Sequence, residues 1–126
     1  MGTVKHFEEF KIWQDARLLV KDIYKLTSMI KDYGYNDQLQ RAAVSIMNNI
    51  TEGAESGSDI MFKKFLYIAK GSCGEVRNML YIGSDLNYFQ TEKADELIKE
   101  CKYLSVGIFN LIDYLNKPKS QNKTAL

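Results

Sequence analysis

The chain is poor in the residues that break helices, bind metals and staple small folds: one Pro, one His and two Cys in 126 residues. Proline is the strongest helix breaker, and its near absence, with the single Pro118 close to the end, leaves long helices unopposed. Two cysteines, Cys73 and Cys101, form no C-x-x-C pair and are too few for a disulfide framework, which points to a reducing compartment. His6 stands before the first periodic segment, so the Ser-His, Cys-His and Glu-x-x-His constellations that would support nucleophilic or di-metal chemistry cannot be assembled. No enzymatic activity, metal or cofactor is expected. No apolar run of about 18 residues is present, and MGTVKHFEEF enters charged residues at once, so neither a membrane span nor a signal peptide is expected and the location is read as cytoplasmic. An excess of one charge is also missing: 17 Lys and Arg stand against 16 Asp and Glu, so any surface for an anionic partner must be local.

What remains is 45% hydrophobic and 26% charged, enough at this length to bury roughly 65–70% of the unfolded surface in one core. The apolar residues are spaced for helices. Ile12, Ala16, Leu19, Ile23, Leu26 and Ile30 recur at steps of four and three, with Trp13, Val20 and Tyr24 as a second line. The segment Asp32 to Asn36, DYGYN, reads as a turn. A second helix is predicted from Asp37 to Gly53, with Leu39, Ala43, Ile46 and Ile50 inward, followed by the breaker cluster GAESGS. Ser58 can cap a third helix, Asp59 to Leu86, whose main face is Phe62, Phe65, Leu66, Ala69, Cys73, Val76, Leu80 and Gly83. After NYFQ, Thr91 can cap a fourth, with Ala94, Leu97, Cys101, Leu104, Ile108, Leu111 and Leu115 in register until Pro118. Four amphipathic helices on short connections predict an all-α, antiparallel up-down-up-down four-helix bundle, a single domain over 1–117 with a disordered polar tail over 118–126.

Three polar or mixed patterns lie outside the apolar stripes. Lys63, Lys64, Lys70 and Arg77 make a local basic strip on the third helix, a candidate RNA or partner contact. Tyr67, Gly71, Gly74, Asn78 and Tyr81 form a line at helical spacing, and glycine inside a helix costs about 0.8–1 kcal/mol relative to Ala. Gly71, Gly74 and Gly83 therefore suggest close backbone approach or a bend, and the line reads either as a contact with a neighbouring subunit or as a plain exposed face. On the second helix, Arg41, Ser45, Asn48 or Asn49 and Glu52 follow the same four-three steps. This seam is either a hydrogen-bonded ladder to the third helix, through Arg41 or Glu52 with Glu75 or Arg77, or a surface for a partner or RNA. Cys73 and Cys101 fall on core stripes as small hydrophobes.

FEEFKIWQDARLLVKDIYKLT, QLQRAAVSIMNNITEG and FKKFLYIAKGSCGEV resemble the bacterial four-helix-bundle proteins whose genes were noted inside intervening sequences of 23S rRNA genes, also called the S23 ribosomal protein family. The resemblance runs from Phe7 to about Leu115 and is most specific at Trp13 with Ala16, from Arg41 to Gly53, and from Phe65 to Ser72. It implies a small antiparallel bundle that assembles as homopentamers, with the Tyr67 to Tyr81 line as the subunit interface. A related accessory protein of diversity-generating retroelements works with a reverse transcriptase and RNA through a basic surface, so structured RNA is an implied partner. Family members commonly read SIPSNIAEG where this chain has SIMNNITEG, so Met47 and Asn48 replace a Pro-Ser pair and a straighter second helix is expected. The resulting expectation is a non-enzymatic, oligomeric, RNA-associated protein. The alternative is an adaptor ring with no nucleic-acid role that binds a protein partner through Tyr67, Tyr81 and Phe109.

Overall fold

In a computed structural model of the chain, which describes residues 5–118, four long helices follow a short 3-10 turn at Phe7–Glu9: α1 (Lys11–Thr27), α2 (Tyr33–Glu55), α3 (Asp59–Asp85) and α4 (Thr91–Asn116). No strand occurs among the described residues. Each helix packs on its chain neighbours and α1 closes the square against α4, while across the diagonal the Phe10 ring at the start of α1 meets Phe62 of α3 edge to face. Successive pairs run antiparallel. Along α2 and α3, Gly53 lies against Phe62, Ser45 bonds Ser72, and Tyr35 bonds the Met79 carbonyl, so one sequence rises as the other falls. The fold is the up-down-up-down four-helix bundle.

The core follows the apolar stripes. Ile12, Ala16, Leu19 and Ile23 of α1 and Leu39, Ala43, Ile46 and Ile50 of α2 are buried in one core with the α3 and α4 stripes, of which Phe65 and Leu115 are only half-buried. Of the second line on α1, Trp13 and Val20 are half-buried and Tyr24 is exposed, because the line lies at the edge of the buried face.

The connections differ from the sequence reading in ways that have a physical cause. The turn expected at Asp32 to Asn36 is already helix: Asp32 is the N-cap, its carboxylate accepting the Tyr35 amide at 3.1 Å, and Gly34 and Asn36 are helical. Asn36 does not cap its own helix. Its buried side-chain amide donates to the carbonyls of Thr27 and Ile30, at 3.2 and 2.8 Å, and so ties the first turns of α2 to the end of α1. At the other end α2 runs past Gly53 to Glu55, and the left-handed residue of the GAESGS turn is Gly57, with φ +72. Gly53 sits inside the helix because a Cβ there would meet the Phe62 ring at 2.8 Å. Between Gly53 and Asp32 the helix passes unbroken through Met47 and Asn48.

Ser58 caps α3 as expected, accepting from the Met61 amide at 3.3 Å. Thr91 is the first residue of α4 rather than its cap, which is Gln90, without a side-chain bond. Asn87 ends α3 at φ 60, while the amides of Tyr88 and Asn87 donate to Gly83 and Ser84. Lys117 is extended immediately before Pro118, as the pyrrolidine ring requires. The tail expected over 118–126 lies, beyond Pro118, outside the described residues.

Candidate functional site

Lys63, Lys70 and Arg77 are spaced seven apart, two helical turns, so they form one line along α3. The line faces α4. Lys63 Nζ donates to Asn116 Oδ1 at 2.9 Å, and further along, Lys70 and Arg77 join Lys102, Ser105, Val106 and Phe109 of α4 around a shallow groove of 410 Å³. Lys70 and Arg77 are half-buried between the helices, and Phe109 and Val106 give the groove an apolar side. Lys64 points elsewhere, one step round the helix and away from the groove.

Among the described residues, Lys70, Arg77 and Lys102 form no ion pair, so three cations share one groove without a carboxylate. Under them lie the thiols of Cys73 and Cys101. Burial pushes both up to about 12, and the positive charges of Lys70 and Arg77 beside Cys73 only partly oppose that shift. Both thiols are therefore protonated and unreactive at neutral pH. His6 is exposed ahead of the first turn, and among the described residues no group of three or more His, Cys, Asp or Glu could hold a metal ion. No helix of the described residues is long and apolar enough to cross a membrane.

Tyr67, Gly71, Gly74, Asn78 and Tyr81 run beside the basic line on the outer face of α3, and all five are exposed. The close approach or bend expected at the three glycines occurs at one of them. A Cβ on Gly83 would collide with the Tyr35 hydroxyl and the Phe89 ring, whereas Gly71 and Gly74 have nothing within 4 Å of that position. No neighbour among the described residues asks for glycine at either.

The polar seam of α2 divides. Ser45 forms the rung to α3, its hydroxyl 2.9 Å from that of Ser72, and Asn49 donates to the Ser45 carbonyl and hydroxyl. Arg41 does not reach α3, because Asp37 one turn earlier takes its guanidinium at 2.8 Å, and Glu52 is exposed. The pairing of Arg41 or Glu52 with Glu75 or Arg77 is thus absent, and the ladder is a single Ser-Ser rung. Arg41, Asn48 and Glu52 stand with Tyr24 on an open polar surface.

Two features went unread in the sequence. Lys102 completes the basic groove from another helix, which only the antiparallel register of α3 and α4 reveals. Arg17, Lys21 and Lys25 form a second exposed basic line on α1, whose steps of four are visible in the sequence beside the buried stripe.

Among proteins with curated descriptions, none matches the chain. A family model described as 23S rRNA-intervening sequence protein matches residues 8–110. The fold is similar to that of a Bacteroides thetaiotaomicron protein of unknown function from the S23 ribosomal protein family: 19% identity, TM-score 0.76, with 80% of this chain and 97% of that chain covered. The family model spans most of the described helices, and the bundle topology agrees with it: this chain belongs to the 23S rRNA-intervening sequence protein family.

Proposed function

We propose that the protein is a non-enzymatic accessory protein that binds structured RNA through the groove between α3 and α4. One observation carries this reading: Lys70, Arg77 and Lys102 converge on the groove without a counter-charge among the described residues. Like charges held together repel, and a phosphate backbone laid across them relieves that repulsion and releases counterions. Phe109 on the same groove, with Tyr67 and Tyr81 beside it, offers faces on which unpaired bases stack. The protonated thiols and the exposed single histidine support a role without catalysis.

The proposal includes self-assembly. Gly71 and Gly74 leave the backbone of α3 open between the exposed Tyr67 and Tyr81, a surface that admits a neighbouring subunit closely, and the family resemblance implies five copies in a ring. Exposed Ile68 and Ile82 on the same helix favour the second reading, an adaptor surface for a protein partner.

The two readings separate in filter binding with a labelled hairpin of 23S rRNA. The RNA-binding reading expects affinity to fall roughly 10- to 100-fold between 50 and 200 mM salt, as for about three phosphate contacts. It also expects the combined Lys70→Glu, Arg77→Glu and Lys102→Glu variant to leave the RNA free. RNA that remains free of the native protein at both salts rejects this reading in favour of the adaptor.

A further inference from the structure

The seam between α1 and α4 is the least closely packed of the four. Two cavities, of 490 and 360 Å³, open along it and meet at Asp15 and Tyr103, so they form one trough. Its apolar side chains are open to solvent: Leu18 is 57% exposed, Tyr103 64% and Val106 58%. The larger cavity is rimmed by Asp15 and Asp22 from α1 and Glu96 and Glu100 from α4, against one cation, Lys99, whereas the smaller one is lined by Lys5 and Lys11 with Asp15 as its one carboxylate. Lys11 pairs with Asp15 at 3.0 Å, and Lys93 approaches Glu96 at 3.8 Å from outside the cavity lining. Asp22 and Glu100 have no ion pair among the described residues.

Glu100 shows what this crowding does. Burial, followed by the charges of Asp22 and Glu96, raises its carboxyl above the usual range, Lys93 partly opposing the shift and Asp15 adding least. A cation from outside would relieve the repulsion, and an apolar side chain beside it would cover Leu18 and Tyr103. The spacing sets the shape of such an occupant. Asp15 and Asp22 are two turns apart on α1, about 10 Å along the axis, and Glu96 and Glu100 one turn apart on α4, about 6 Å. These are the repeats at which a third helix, lying along the seam, presents Lys or Arg from one edge and Leu-like residues from its centre.

We infer that the larger, acidic half of the α1–α4 trough docks a basic amphipathic helix of a partner protein. The trough shares Val106 with the rim of the basic groove on the other side of α4, but none of that groove's three cations lines it, and it does not depend on RNA binding there.

The test is fluorescence anisotropy at physiological salt with two labelled 15-residue Leu/Lys peptides. One segregates Lys and Leu on opposite helical faces; the other has the same composition in an order that does not. The full chain is expected to bind the first at least tenfold more tightly. Asp22→Lys with Glu100→Lys should abolish that preference, and Leu18→Ser, at an exposed position that leaves the core intact, should weaken binding several-fold. Arg77→Glu should leave it unchanged. Equal binding of the two peptides, or no effect of either trough variant, overturns the inference. Two other results also overturn it by assigning the trough elsewhere. Concentration-dependent assembly of the protein alone, dissolved by the Asp22 and Glu100 reversals, would give it to a second copy. Peptide binding that appears only after Lys119→Glu and Lys123→Glu would give it to the chain's own end.

Discussion

Gly83 lies under the Tyr35 hydroxyl and the Phe89 ring, and a methyl group there has no room. Gly71 and Gly74, on the same helix, have only open space above them. The same substitution should therefore act with opposite sign. Gly83→Ala forces the ring and hydroxyl to move, an overpacking cost of about 1–3 kcal/mol that the better helix propensity of Ala only partly offsets. Gly71→Ala and Gly74→Ala gain that propensity without a clash and should each stabilise the monomer by about 0.8–1 kcal/mol. Urea unfolding of the three variants measures this directly. Sedimentation of Gly74→Ala adds a second readout: if the open backbone serves a neighbouring subunit, the variant is more stable as a monomer and assembles less well. Sequence showed that these glycines needed a reason, and only the surroundings of each Cα distinguished them.

At the scale of the element, the junction between α1 and α2 is held to the junction between α3 and α4 through one carboxylate. Asp32 caps α2 through the Tyr35 amide and accepts the Tyr88 hydroxyl at 2.6 Å, while Tyr35 itself donates to the Met79 carbonyl at 2.6 Å. Tyr35 and Tyr88 also meet edge to face, with ring centroids 5.1 Å apart. The hydrogen bond from Tyr88, and after it the Tyr35 amide, hold the Asp32 carboxyl below its ordinary value. A carboxyl whose pKa is depressed on folding contributes stability that is complete above its unfolded value, near 3.8, and is lost as pH falls through the folded value. The native protein should therefore lose stability below about pH 4, and Asp32→Asn should lose less over the same range while being less stable at pH 6. Chemical denaturation at pH 6 and pH 3 checks both. This clamp explains the displaced boundary. Gly34 and Asn36 are ordinary turn residues in a sequence window, but Asp32 starts the helix before them and Asn36 is used across the turn to close α1.

For the whole molecule, Cys73 and Cys101 report on the integrity of the α3–α4 half of the core. Both are buried and uncoupled from any base, with burial raising the thiols to about 12. Attack on a disulfide reagent needs the thiolate and access, so both thiols should react with Ellman's reagent only when the bundle opens. At neutral pH, labelling of the native protein is expected to be slow and to accelerate through the urea transition with the loss of helical signal. Rapid labelling of either cysteine in the native state would contradict the packing described for α3 and α4.

The sequence by itself determined the number of helices, their inward faces and the family, because a period of 3.6 residues and a burial stripe are local properties that each helix repeats many times. It also placed Lys63, Lys70 and Arg77 on one line, since seven residues is two turns of any helix. Tertiary structure alone decided what those lines face. Arg41 and Glu52 share a stripe with Ser45, yet only Ser45 lies near enough to α3 to bond it, and Arg41 turns to Asp37. Lys102 is an unremarkable lysine until the antiparallel packing of α4 brings it to Lys70 and Arg77. Asp22 and Glu100, 78 positions apart, become neighbours only where α1 and α4 close the square. Grooves are made by pairs of helices, and the azimuth and register of one helix against another depend on side chains from both.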